Sequence, residues 1–113
     1  MFNIFTKQSS GLDISVEEFK EKKSETPGII IDVRTKGEFE DGHLAEVDHQ
    51  FDLMNGDFEA QLENLDKDET YYLYCRTGNR SGQAAKMMQN KGFENVYNIG
   101  GFSTLANSGL ETK

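Results

Sequence analysis

A chain of 113 residues with 35% hydrophobic content, 8 Phe and 4 Tyr can bury one real core, which argues against disorder although the mean hydropathy is -0.68. Its 12 basic and 20 acidic residues leave a formal charge of -8, so nucleic acid and anionic membranes are excluded as expected partners. One cysteine and two histidines make neither an internal disulfide nor a four-ligand zinc site, and no metal or other cofactor is called for.

At the start of the chain Phe2, Ile4 and Phe5 are interrupted by Asn3, Thr6, Lys7 and Gln8, which makes neither a signal core nor a membrane span. Residues 1–11 are read as an N-terminal arm, residues 12–113 as a single domain, and the cytoplasm as the default location. Ser15 and Glu18 form a capping box, with Ile14 and Phe19 placed as its hydrophobic staple, and predict a helix through about Lys23. Ile29 to Val33 is apolar except for Asp32 and reads as a strand buried on both faces. Thr35 and Glu38 repeat the capping-box pattern and open a short helix that Gly42 closes.

Val47 to Leu53 reads as an extended segment broken by Asp48, His49 and Gln50. Phe58, Leu62 and Leu65 share a helical face, with Asp57 as the expected N-cap. After the polar turn at Asp66 to Glu69, Tyr71 to Tyr74 forms a strand, and Ser81 to Lys91 a helix with Ala84, Met87 and Met88 on one face. Val96 to Ile99 is the last strand, and Gly100-Gly101 turns into a final short helix. Strands and helices alternate throughout, which predicts an α/β fold: a mostly parallel sheet with helices on both faces.

The functional signal lies where the Tyr71–Tyr74 strand delivers Cys75 into Arg76-Thr77-Gly78-Asn79-Arg80-Ser81. In open α/β sheets ligands sit at the carboxyl ends of strands, and the following helix N-terminus presents free amides to an anion. Gly78 permits the positive φ that a tightly curled loop needs. A thiolate at that focus, beside Arg76 and Arg80, has its pKa lowered. It then needs no general base, and neither His43 nor His49 is assigned to it. Spacing separates the chemistries. A phosphatase-like loop places Arg five residues beyond the nucleophile's successor position, which here is Ser81; Arg80 comes one residue early. The shorter loop suits a sulfur atom better than a tetrahedral phosphate.

Three motifs then converge: Asp32-Val33-Arg34-Thr35 through Glu38-Phe39 to Gly42-His43-Leu44, the Cys75–Ser81 loop, and Asn98-Ile99-Gly100-Gly101-Phe102. In this order and spacing the chain resembles the single-domain rhodaneses, thiosulfate-type sulfurtransferases, over roughly residues 12–110. The resemblance implies a sheet of about five strands and a persulfide on Cys75. It implies sulfane sulfur passed from an anionic donor such as thiosulfate to cyanide, a small thiol or a protein thiol. Amides of Arg76 to Ser81 (Arg76, Thr77, Gly78, Asn79, Arg80, Ser81) would hold the outer sulfur, and Arg76 and Arg80 would attract the donor. Asp32, Arg34, Glu38 and His43 match structural-support positions, and Arg34 and Glu38, four apart, are expected to pair. The chain departs from the family pattern at Glu46 to Phe51 and at Leu105, which stands where a tryptophan is usual, and His49 is a candidate rim residue. A non-catalytic binding or redox-sensing module is the alternative, followed by a cysteine phosphatase or arsenate reductase.

Overall fold

The computed structural model describes residues 12–113. The expected N-terminal arm lies outside them. The elements run α1 (Val16–Glu25), β1 (Ile29–Asp32), α2 (Lys36–Glu40), β2 (His49–Gln50) and α3 (Asp57–Gln61), followed by a 3₁₀ turn at Leu62–Asn64. They continue with β3 (Thr70–Cys75), α4 (Asn79–Asn90), β4 (Asn95–Gly101) and α5 (Phe102–Asn107). The four strands lie in the order β2-β1-β3-β4, and every pairing is parallel. The sheet thus has four strands where the resemblance implied about five, with one isolated parallel bridge, Asp13 to Asn98, beyond β4.

Local chemistry accounts for the helix starts. Ser15 Oγ accepts from the Glu18 amide at 3.1 Å while Glu18 Oε1 accepts from the Ser15 amide at 3.2 Å, which caps α1. Thr35 and Glu38 repeat the arrangement at 3.2 and 3.0 Å to cap α2. Asp57 is not the N-cap of α3 but its first residue. Gly56 precedes it with φ 89°, and the Asp57 amide donates to Asn55 Oδ1 at 2.9 Å. The extended segment expected from Val47 to Leu53 shrinks to two paired residues. Asp48 uses its side chain in the ladder: its Oδ2 accepts from the Ile30 amide at 2.9 Å.

Both sheet faces are covered. Ile31, Val33, Leu73 and Cys75 pack with Phe58 and Leu62 and with Ala84, Ala85 and Met88 of α4. On the other face Ile30, Tyr72, Tyr74 and Ile99 pack with Phe19 of α1 and Leu105 of α5. Burying each large apolar side chain contributes about 1.5–3 kcal/mol. Tyrosine-rich β3 can sit in this core because each hydroxyl finds a partner as it emerges. Tyr71 donates to Asp66 O at 2.6 Å and Tyr72 to Thr26 O at 2.8 Å, while Tyr74 accepts from the Leu44 amide at 3.1 Å. Leu105 is wholly buried, a core residue with no place on a rim.

One irregularity positions the site. Leu73 pairs with Asn98, but Tyr74 pairs with Gly100 and Cys75 with Gly101, so β4 slips by one residue relative to β3. That slip brings two glycines alongside the end of β3.

Candidate active site

Cys75 is the last residue of β3 and is wholly buried. The chain then curls back over it. Gly78 takes φ 99°, which a side chain would strain, and aims its amide at Cys75 Sγ from 3.0 Å. The Ser81 amide and Ser81 Oγ each lie 3.4 Å from the same sulfur. Helix α4 begins at Asn79, two residues earlier than the sequence pattern predicts, so these amides belong to its first turn. Burial pushes the Cys75 thiol up, but hydrogen bonds from the Ser81 hydroxyl and the amides of Ser81, Gly78 and Thr77 pull it down. The hydrogen bonds win, and the thiol lies below its ordinary value.

The loop is held from two sides. Toward β4, Asn98 Nδ2 donates to Gly78 O at 3.0 Å and to Asp13 Oδ1 at 2.9 Å. Asn98 Oδ1 accepts from Ser81 Oγ at 2.7 Å and from the Gly100 amide at 3.1 Å. Gly101 lies beneath Arg76. A β-carbon there would stand 2.6 Å from Arg76 O and 3.2 Å from Thr77 Cα, so only glycine lets the loop pack this closely. Sequence reasoning placed Asn98 and Gly101 in a motif but missed both roles, because each depends on a contact across the sheet.

Toward α2 the loop meets charge. Glu38 Oε1 and Oε2 accept from Arg80 Nη1 and Nη2 at 2.8 and 2.9 Å, a bidentate pair across 42 positions. The Arg80 guanidinium, with help from the Thr35 cap, draws the Glu38 carboxyl down to about 2, against the opposing push of burial. The expected Arg34–Glu38 pair is therefore not formed. Arg34 instead grips Asp32, Nε at 3.0 Å from both oxygens and Nη2 at 2.7 Å from Oδ2, and donates to Gly42 O at 2.6 Å. Asp32 is wholly buried and Arg34 nearly so, with the guanidinium 4.6 Å from the Phe102 ring. Asp32, buried at the end of β1, keeps that guanidinium as its partner and away from Glu38.

The other expected residues fall around this frame. His43 Nδ1 lies 2.8 Å from Phe39 O and its ring stacks on Phe39 at 3.8 Å, a structural placement. His49 stacks on Phe51 at 4.9 Å. Thr77 and Asn79 are exposed, with the Asn79 amide 3.4 Å from Thr77 Oγ1. Arg76 is exposed and, together with Arg34, Glu38, Asp41, Phe102 and Ser103, lines an open cleft beside the loop. Among the described residues no group of three or more His, Cys, Asp or Glu could hold a metal ion, and no helix is long and apolar enough to cross a membrane.

A parallel sheet with a curled loop after its third strand matches a known family: the model for the rhodanese-like domain covers residues 15–107. The chain belongs to the rhodanese-like family. Within it, the chain is 34% identical over 90 residues to "Putative sulfurtransferase YtwF" of Bacillus subtilis (strain 168), covering 79% of this chain and 84% of that protein. It is 35% identical over 92 residues to "Putative sulfur carrier protein YrkF" of the same organism, covering 80% of this chain. The chain spans only 48% of YrkF's length. Among solved structures, SSP1007 from Staphylococcus saprophyticus superposes with a TM-score of 0.71 at 33% identity, covering 88% of this chain and 97% of that one. The rhodanese-like domain protein from Staphylococcus aureus gives 0.69 at 30% identity, covering 88% and 95%.

Proposed function

We propose that this domain is a sulfurtransferase that carries sulfane sulfur as a persulfide on Cys75. The observation that carries the reading is a buried thiol facing the amides of Gly78 and Ser81 at 3.0 and 3.4 Å, with its pKa drawn down. The Cys75 thiolate attacks the outer sulfur of a donor such as thiosulfate; a new S–S bond forms, the donor's S–S bond breaks, and sulfite leaves with the electron pair. A nucleophilic acceptor, cyanide or a small or protein thiol, then attacks the outer sulfur, and the Cys75 thiolate departs with the electrons of the S–S bond. The amides from Arg76 to Ser81 stabilise the negative outer sulfur in between. Because both Nη atoms of Arg80 are committed to Glu38, exposed Arg76 carries the attraction of an anionic donor. A lone thiol without a disulfide partner suits the reducing cytoplasm, the location we assign to it.

Incubation with thiosulfate followed by intact-mass measurement should show one added sulfur atom, removed by cyanide and absent from Cys75→Ala. No adduct with thiosulfate, mercaptopyruvate or glutathione persulfide would sink the reading and favour a binding or redox-sensing module. A cysteine phosphatase or arsenate reductase is disfavoured twice over. The loop is short by one residue, and the arginine that would grip an oxyanion is already held by a carboxylate.

A further inference from the structure

Asn98 is 6% exposed, and its neighbours fix which way round its amide sits. One end faces the Gly100 N–H, which can only donate, so that end is the carbonyl oxygen. The other faces Gly78 O and Asp13 Oδ1, which accept, so it is the amino group. Ser81 Oγ lies 2.7 Å from the carbonyl end, and a carbonyl oxygen cannot donate. The single Ser81 hydroxyl proton therefore points at Asn98. What Ser81 turns toward Cys75 Sγ, 3.4 Å away, is a lone pair.

We propose that Asn98 is a positioning residue that keeps the Ser81 proton off the sulfur, making Ser81 an acceptor for the Cys75 S–H and a donor only after that proton has left. In the thiol form the relay runs from Cys75 S–H to Ser81 Oγ and from Ser81 O–H to Asn98 Oδ1. When the thiol gives its proton to solvent, the serine hydroxyl swings from Asn98 to the thiolate, and Asn98 Oδ1 keeps its bond from the Gly100 amide. Only the S–H bond breaks. The help Ser81 gives the anion is then the difference between two hydrogen bonds, less than a hydroxyl free to donate would give. The charged groups near the sulfur are Arg80 from α4, held by Glu38 of α2, and Arg76, next along the chain. Asp13 reaches it only through Asn98.

The test deepens the reading of Cys75 as a reactive thiolate yet uses no sulfur donor, so transfer activity and the relay can fail separately. Thiolate absorbance is titrated against pH in the full chain, with Cys75→Ala subtracted. Asn98→Leu releases the Ser81 proton and should raise the acid dissociation constant of Cys75 by about fivefold. Ser81→Ala should change that constant less than about threefold in the native background but lower it about tenfold in the Asn98→Leu background. A loop merely loosened by Asn98→Leu would lose thiolate instead. That result, or equal effects of Ser81→Ala in the two backgrounds, overturns the proposal. Should Asn98→Leu fail to fold, Ser81→Ala alone decides. Cys75 is the only thiol, so one infrared S–H stretching band reports on it. The band should move to higher frequency when its acceptor is removed, and an unmoved band overturns the proposal.

Discussion

The two walls of the Cys75 loop are built by opposite means. On the β4 side the contacts described are neutral: the Asn98 amide bonded to Gly78 and Ser81, and Gly101 packed under Arg76. On the α2 side the contacts are ionic, Asp32 with Arg34 and Glu38 with Arg80. The difference bears on where the proposed Cys75 thiolate would draw its support. Each cation on the charged wall already has its own carboxylate, so those charges largely cancel. N–H dipoles stand at contact distance from the sulfur, ready for an anion there, and the ion pairs hold the frame.

Removing half of the buried pair is the severest test of that division. Asp32→Ala leaves the buried Arg34 guanidinium without its carboxylate and should cost about 3–5 kcal/mol in denaturant unfolding. A loss near zero would mean that the charged wall is not structural. On the neutral wall, Gly101→Ala drives a β-carbon against Arg76 O and should cost about 1–3 kcal/mol. It should also displace the Gly78 amide from the sulfur, so the thiol pKa should rise by titration, whereas Asp32→Ala in any folded fraction should move it less.

The smallest expected effect is the most diagnostic. Glu38→Gln keeps a residue that completes the capping box but removes the charge that holds Arg80. The folded-state pKa of Glu38 is depressed to about 2, so its stabilisation is present above the unfolded carboxyl value near 4.3 and lost as pH falls through about 2. Wild type should therefore exceed Glu38→Gln by about 1–2 kcal/mol at pH 7, with the gap closing between about pH 4 and 2. With Arg80 released, turnover of an anionic donor should rise. A fall in turnover with stability unchanged would make the Glu38–Arg80 pair part of the reaction itself.

The pattern of residues made the sheet, both capped helices and the cysteine loop legible, because each rests on local chemistry. Ser15 with Glu18 and Thr35 with Glu38 cap within four residues, and β3 is a short apolar run. What misled was also local. Helical spacing suggests Arg34 with Glu38, but Asp32, two residues back and wholly buried, takes Arg34, and Glu38 finds Arg80 across the loop. The extended segment around His49 has only two residues of regular strand, although the amides of Asp48, Phe51 and Leu53 also donate to Ile30, Asp32 and Val33 O. Asn98 reads as one more polar residue in a strand until four partners converge on it.

The complete burial of Cys75 carries a consequence for how long such a protein lasts. Oxidative damage to cysteine follows thiolate character together with exposure. Here the first is raised while the second is withheld, so peroxide meets little of the sulfur. In the proposed persulfide the outer sulfur would stand about 2 Å beyond Sγ and be the atom that peroxide meets first. Oxidative wear should therefore fall on the charged carrier more than on the empty one.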